Sequence, residues 1–125
     1  MLSDTDATAT LAVKDLAAAR KFYGEILGLK AIGPPNDEVI MFKTGNTTIN
    51  VYRSKFAGTS KATVLTWAVE DVEAEVRELK ARGVVFEHYD LPPLEREGDI
   101  HVGESFKTAW FKDPDGNILN VISGE

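Results

Sequence analysis

The chain has 125 residues with 14 Lys and Arg against 20 Asp and Glu, a formal net charge of −6, and no cysteine. One domain spanning 1–125 is expected, and a chain of this length buries roughly two-thirds of its unfolded surface, so it needs no disulfide or structural metal. Thiolate nucleophiles, thiolate metal sites and iron–sulfur clusters are excluded, and the acidic balance argues against a nucleic-acid partner.

Met1 to Asp6 are acidic where a secretory leader is basic, and no apolar run approaches the ~18 residues of a membrane span. A soluble, cytoplasmic protein with no membrane partner is expected. Thr8 to Val13 are rich in Thr and Val, which suits a half-buried strand. Asp15 then stands as the N-cap of a helix carrying Leu16, Ala19, Phe22, Tyr23 and Ile26 at helical spacing, with Gly28 at its left-handed end. Strands are predicted over 29–33, 38–44 and 47–53, the last two joined by Thr44-Gly45-Asn46.

The same order returns after a linker of residues 54–61. Val13-Lys14-Asp15-Leu16 is repeated as Val69-Glu70-Asp71-Val72 at an offset of 56, and Phe42-Lys43 as Phe111-Lys112 at an offset of 69. Ile49-Asn50-Val51 is repeated as Leu119-Asn120-Val121 at an offset of 70. A strand over 64–69, a helix capped by Asp71 and ended by Gly83, and strands over 84–89, 105–112 and 117–123 follow. Asp113-Pro114-Asp115-Gly116-Asn117 makes the last turn. The chain therefore reads as two βαβββ modules, about 8–53 and 62–123, and an α+β fold. Residues 89–104 are expected to form a long polar loop that the first module lacks. Asp15, Asp71, Asp113 and Asp115 read as caps and turn formers.

The duplicated βαβββ unit, Val-Lys-Asp-Leu before an Ala-rich helix, Leu27-Gly28-Leu29 and the closing Asp113-Pro114-Asp115-Gly116-Asn117 resemble the vicinal oxygen chelate superfamily, which groups glyoxalase I, extradiol dioxygenases, and fosfomycin- and bleomycin-resistance proteins. The resemblance implies a cup-shaped half-barrel of mixed sheet with the helices outside and a homodimer. In its metal-dependent members, ligands stand near the start of each first strand and in each fourth strand. Here those positions hold Thr8, Val64, Asn50 and Asn120. None brings negative charge or an imidazole, so no metal and no cofactor is expected. The two asparagines are expected to form a symmetric hydrogen-bonding pair facing a ligand, or to satisfy one another or water.

Alternation along the strands places Thr10, Ala12, Met41, Thr48, Asn50, Tyr52, Thr66, Ala68, Trp110, Ile118, Asn120 and Ile122 on the face opposite the helices. Tyr52 and Trp110 are expected to stack on a flat ligand while Thr8, Met41, Thr66 and the asparagines fix it. Phe56 and Phe106 are expected to add walls. His101 reads as a solvated loop residue or, where the loop reaches the cup, a general base. No catalytic residue is assigned. The expected function is metal-free binding of a small aromatic or cationic molecule, as in the bleomycin-resistance branch. A metal-dependent lyase, isomerase or dioxygenase, and a structural dimer with a filled cup, are the alternatives.

Overall fold

The computed structural model describes residues 1–34 and 36–124. After a 3-10 turn at Leu2–Asp4, the first module contains β1 (Ala9–Val13), the helix α1 (Leu16–Ala19, continued through Arg20–Ile26), β2 (Lys30–Ile32), β3 (Val39–Thr44) and β4 (Thr47–Arg53). The second contains β5 (Thr63–Ala68), α2 (Val72–Ala81), β6 (Phe86–Glu87), β7 (Glu95–Glu97), β8 (Ile100–Val102), β9 (Phe106–Lys112) and β10 (Ile118–Gly124). Sheet order is β1-β4-β3-β2 in the first module. The second repeats it as β5-β10-β9-β6, with β8 and β7 added beyond β9. In each module the first and fourth strands run parallel and the other pairings are antiparallel. The expected α+β fold of two βαβββ modules is present.

Both helices start at the predicted caps. The Asp15 carboxylate accepts from the N–H groups of Ala17 and Ala18, and that of Asp71 from Ala74, satisfying donors that have no partner within the helix. α1 departs from a regular helix. Leu16–Ala19 is α-helical and Arg20–Ile26 is wound as a π-helix. The wider turn takes a smaller angular step per residue, so the sequence neighbours Phe22 and Tyr23 are both buried, at 7% and 0% exposure.

One apolar core joins the modules. It takes Leu11, Val13, Ile49 and Val51 from the first sheet, Phe111, Leu119 and Val121 from the second, and Val72, Val76 and Leu79 from α2. Phe111 is its centre, with ring centroids of Phe86, Phe22 and Trp67 at 5.5, 6.4 and 6.5 Å. A polar clamp reinforces the junction around the β9–β10 turn. Buried Asp113 accepts from the Tyr23 hydroxyl at 2.6 Å, from Asn117 Nδ2 at 2.8 Å, and from the N–H groups of Asp115 and Asn117. Asn117 Nδ2 also donates to the Ala12 carbonyl, and Asp115 accepts from the Lys14 N–H. Burial, then the Asp113 charge, pushes the Tyr23 phenol far above its usual range, so it remains a donor. Gly58 is required where the linker crosses this turn. Its φ is +72°, and a Cβ there would overlap the Asp115 carbonyl.

The predicted strand over 84–89 is reduced to Phe86–Glu87, and the expected loop over 89–104 carries the hairpin β7–β8. β7 is exposed throughout, so Glu95-Arg96-Glu97 shows no apolar alternation to reveal a strand. Gly98-Asp99, a two-residue glycine-first turn between strands, is the signal that marks it. Asp99 ties the hairpin down. Its carboxylate lies 2.7 Å from both Lys80 Nζ and His88 Nε2, and these two donors, Lys80 foremost, hold it below the usual carboxylate range.

Candidate functional site

Register places equivalent rows on the sheet faces turned away from the core. In the first sheet Thr10, Asn50 and Met41 stand side by side across β1, β4 and β3. In the second, Thr66, Asn120, Trp110 and Glu87 stand across β5, β10, β9 and β6. The alternation expected from the sequence holds, since the neighbours Leu11, Ile49, Val51, Ile40, Phe42, Ala109, Phe111, Leu119 and Val121 are buried on the core side and Ala9, Leu65 and Trp67 pack partly buried against it.

The two rows differ in how they are completed. On the first sheet Met41 and Tyr52 are 39% and 40% exposed, and Asn50 Oδ1 is buried without a partner. On the second sheet Asn120 is buried and its amide nitrogen is spent internally. Nδ2 donates to Thr108 Oγ1 and to the Ala109 carbonyl at 3.0 Å, while Thr108 Oγ1 donates to the Val121 carbonyl. The expected symmetric pairing of the asparagines is therefore absent. Asn120 Nδ2 locks β9 to β10, whereas Asn50 Oδ1 is buried and makes no hydrogen bond.

Trp110 is the centre of the built-up half. Its indole N–H donates to Thr63 Oγ1 at 3.1 Å, and two rings meet it edge to face: His101 at 4.9 Å and Tyr89 at 5.5 Å. A cavity of about 240 Å³ opens beside it, lined by Lys61, Ala62, Thr63, Tyr89, Leu91, Trp110 and Ile118. The Tyr89 hydroxyl is buried without a partner, and burial raises the phenol above its ordinary pKa, so the group is a hydrogen-bond donor in want of an acceptor. Lys61 makes no ion pair among the described residues. Lys112 and Glu87, beside Trp110 on β9 and β6, lie 3.6 Å apart and pair with one another.

His101 is not a solvated loop residue. It lies on β8 at 1% exposure, and its Nε2 is 3.0 Å from the Tyr89 N–H and 3.1 Å from the Tyr89 carbonyl. Burial pushes the imidazole below its ordinary pKa, which keeps it neutral, and Nδ1 is buried with no partner. Its place in the structure is to hold Tyr89 against Trp110. The remaining candidates are scattered. Thr8 precedes β1 and is exposed, Thr66 is exposed beside Asn120, and Phe56 projects from the linker at 66% exposure under Lys55 Nζ. Phe106 lines a separate surface cavity with Pro93, Leu94 and Val102. Tyr89, Lys61, Thr63 and Leu91 were missed by the sequence reading. Three of them lie outside the regular strands, where alternation carries no information.

The positions of the superfamily's metal ligands do not form a donor set here. A β-bulge opposite Ile118 and Leu119 leaves Val64 unpaired and packed toward the core, and Thr63 takes its place on the Trp110 face. Thr8, Thr63, Asn50 and Asn120 offer only neutral oxygens, of which that of Asn50 is buried. No three His, Asp or Glu side chains converge to hold a metal ion among the described residues. These residues do not fit a divalent ion, which needs charged or imidazole ligands to replace its water. Among the described residues no helix is long and apolar enough to cross a membrane.

A family model for the Glyoxalase/Bleomycin resistance protein/Dioxygenase superfamily matches residues 7–121. Among similar solved structures, a glyoxalase family protein from Enterococcus faecalis has a TM-score of 0.73 at 22% identity, covering 98% of this chain and 99% of that one. The fosfomycin resistance protein FosX from Listeria monocytogenes has a TM-score of 0.69 at 18% identity, covering 96% and 93%. Lactoylglutathione lyase from Agrobacterium tumefaciens has a TM-score of 0.67 at 20% identity, covering 96% and 94%. At these identities the structures show a shared fold. With two tandem βαβββ modules and a family match over residues 7–121, the chain belongs to the glyoxalase/bleomycin resistance/dioxygenase superfamily.

Proposed function

We propose that this chain is a small-molecule-binding protein that holds a flat aromatic compound bearing an anionic group against Trp110, without a divalent ion. The observation that carries the reading is the composition of the cavity beside Trp110. It offers the Trp110 indole, the Tyr89 ring and a lysine that makes no ion pair among the described residues, and its lining lacks any carboxylate. Aromatic faces supply area, and Lys61 fixes one polar end, as in small-molecule sites generally. The net charge of −6 suggested a cationic ligand. A charge in contact with the ligand outweighs a diffuse field screened over about 8–10 Å, and the contacting charge is Lys61. Sequestration is the activity such a site supports.

The first sheet's open face completes the reading. Met41, Tyr52 and the unsatisfied Asn50 oxygen are half-exposed or orphaned in the single chain, and a homodimer in which this face closes over the partner's Trp110 face would give both an occupant.

The test is elemental mass spectrometry on tag-free protein together with a denaturing mass spectrum of co-purified organic molecules. Metal below about a tenth of an equivalent and an aromatic acid lost from the Trp110→Ala variant are expected, since the ligand's main contact surface is removed. One equivalent of zinc, nickel, manganese or iron would establish a metal-dependent enzyme in its place.

A further inference from the structure

On the other side of the sheets, where the two modules meet behind α1 and α2, lies a second cavity of about 220 Å³. Its walls are Leu27 and Leu29 from the end of α1, Leu79 from α2, and Trp67 and Phe111 from the second sheet, with Glu75 as the single charged residue. The Trp67 ring is nearly parallel to Phe111, and its N–H is already used, donating to Thr44 Oγ1 at 3.0 Å. Trp67 therefore has no free N–H for an occupant, and an indole ring bordering the cavity is of the kind that attracts cations through its π face.

Glu75 breaks the pattern of its helix. α2 buries Val72, Val76 and Leu79, and Glu75 lies on that same stripe, half-buried, where an apolar residue would continue the core. Glu73, in the same turn, faces outward and pairs with Lys107. Glu75 has no ion pair or side-chain hydrogen bond among the described residues. A carboxylate left without a cation at the edge of an apolar, aromatic cavity is a local cost that a bound ammonium group would relieve.

We infer that this inter-module cavity is a second ligand site, for a small aromatic ammonium ion whose ring lies between Leu27, Leu79 and Trp67 and whose charge meets Glu75. It is separate from the Trp110 site, with the opposite charge preference and on the opposite face of the second sheet, so either stands without the other. An occupant here touches both modules at once, and it would favour their packed arrangement over any in which they separate.

The two tryptophans report the sites independently. In a ¹H–¹⁵N spectrum of the whole chain the two indole cross-peaks are assigned with Trp110→Phe, and phenethylammonium and its neutral analogue 2-phenylethanol are titrated in turn. Phenethylammonium is expected to shift the Trp67 indole and leave that of Trp110 in place, and 2-phenylethanol to bind roughly tenfold more weakly for want of the charge-assisted contact. Glu75→Gln, which keeps the shape of the side chain, is expected to bring the two affinities together. A Trp67 signal that phenethylammonium does not move, or an ammonium affinity unchanged in Glu75→Gln, would overturn the assignment whatever binds at Trp110.

Discussion

The two modules share a topology, a register and a Thr–Asn row on their outer faces, yet one face is nearly bare and the other is built up. In the first module the row ends in Met41 and leaves Asn50 Oδ1 without a partner. In the second the row carries Trp110, Asn120 Nδ2 is engaged by Thr108 Oγ1 and the Ala109 carbonyl, and the inserted segment brings Tyr89, Leu91 and His101 beside Trp110. A duplicated scaffold thus keeps its backbone and diverges in which copy carries the pocket. The difference lies in one long insertion and in the partners of one asparagine.

The largest effect expected is in the core both copies share. Phe111 touches three aromatic rings and Phe42 one, so Phe111→Ala is expected to cost about 4–5 kcal/mol and Phe42→Ala about 3 kcal/mol in denaturant unfolding. Equal costs would mean that the core is not centred on the second module. Tyr23→Phe comes next. It leaves the buried Asp113 carboxylate one donor short and is expected to cost about 1–3 kcal/mol, where a surface tyrosine would cost nothing measurable.

The asparagines test the comparison itself. Asn120→Leu leaves Thr108 and the Ala109 carbonyl without their donor and is expected to cost about 1–3 kcal/mol. Asn50→Leu removes an acceptor that already lacks a partner and is expected to lie within about 0.5 kcal/mol of wild type in the isolated chain. If the two substitutions cost the same, the rows are equivalent and the asymmetry fails.

The smallest effect is electrostatic. His101 is held below its ordinary pKa, so an unfolded chain takes up the proton first. Stability is insensitive to this group above about pH 6.5 and declines as the pH falls below it. His101→Phe is expected to flatten that part of the curve. Asp99, also depressed, contributes stability above the ordinary carboxylate pKa that is lost only at lower pH, as the pH falls through its folded value. The two windows are therefore separable in one series of melts.

The fold was legible because its signals are local and repeated. Asp15 and Asp71 cap helices, Gly45 and the Asp113 to Asn117 segment make turns, and alternation along β1, β3 and β4 separates the core residues of the first sheet from their neighbours. The site was legible only in part. Trp110 follows from alternation, but Tyr89, Leu91 and Lys61 lie in irregular segments whose direction depends on tertiary contacts, such as the His101 grip on the Tyr89 backbone. The burial of His101 was hidden for the same reason, because a short strand with a fully exposed partner in β7 has no period to read. The π-winding of α1 leaves no mark in composition.

Binding of an aromatic anion at the second module's face without a metal can be tested on the isolated protein. The direct measurement is a titration of the protein with 2-naphthoate in excess EDTA, following tryptophan emission in the wild type, Trp110→Phe and Lys61→Gln. Saturable quenching in the wild type, abolished in Trp110→Phe and weakened several-fold in Lys61→Gln, is predicted. Emission that responds to 2-naphthoate only after a divalent ion replaces EDTA would contradict it.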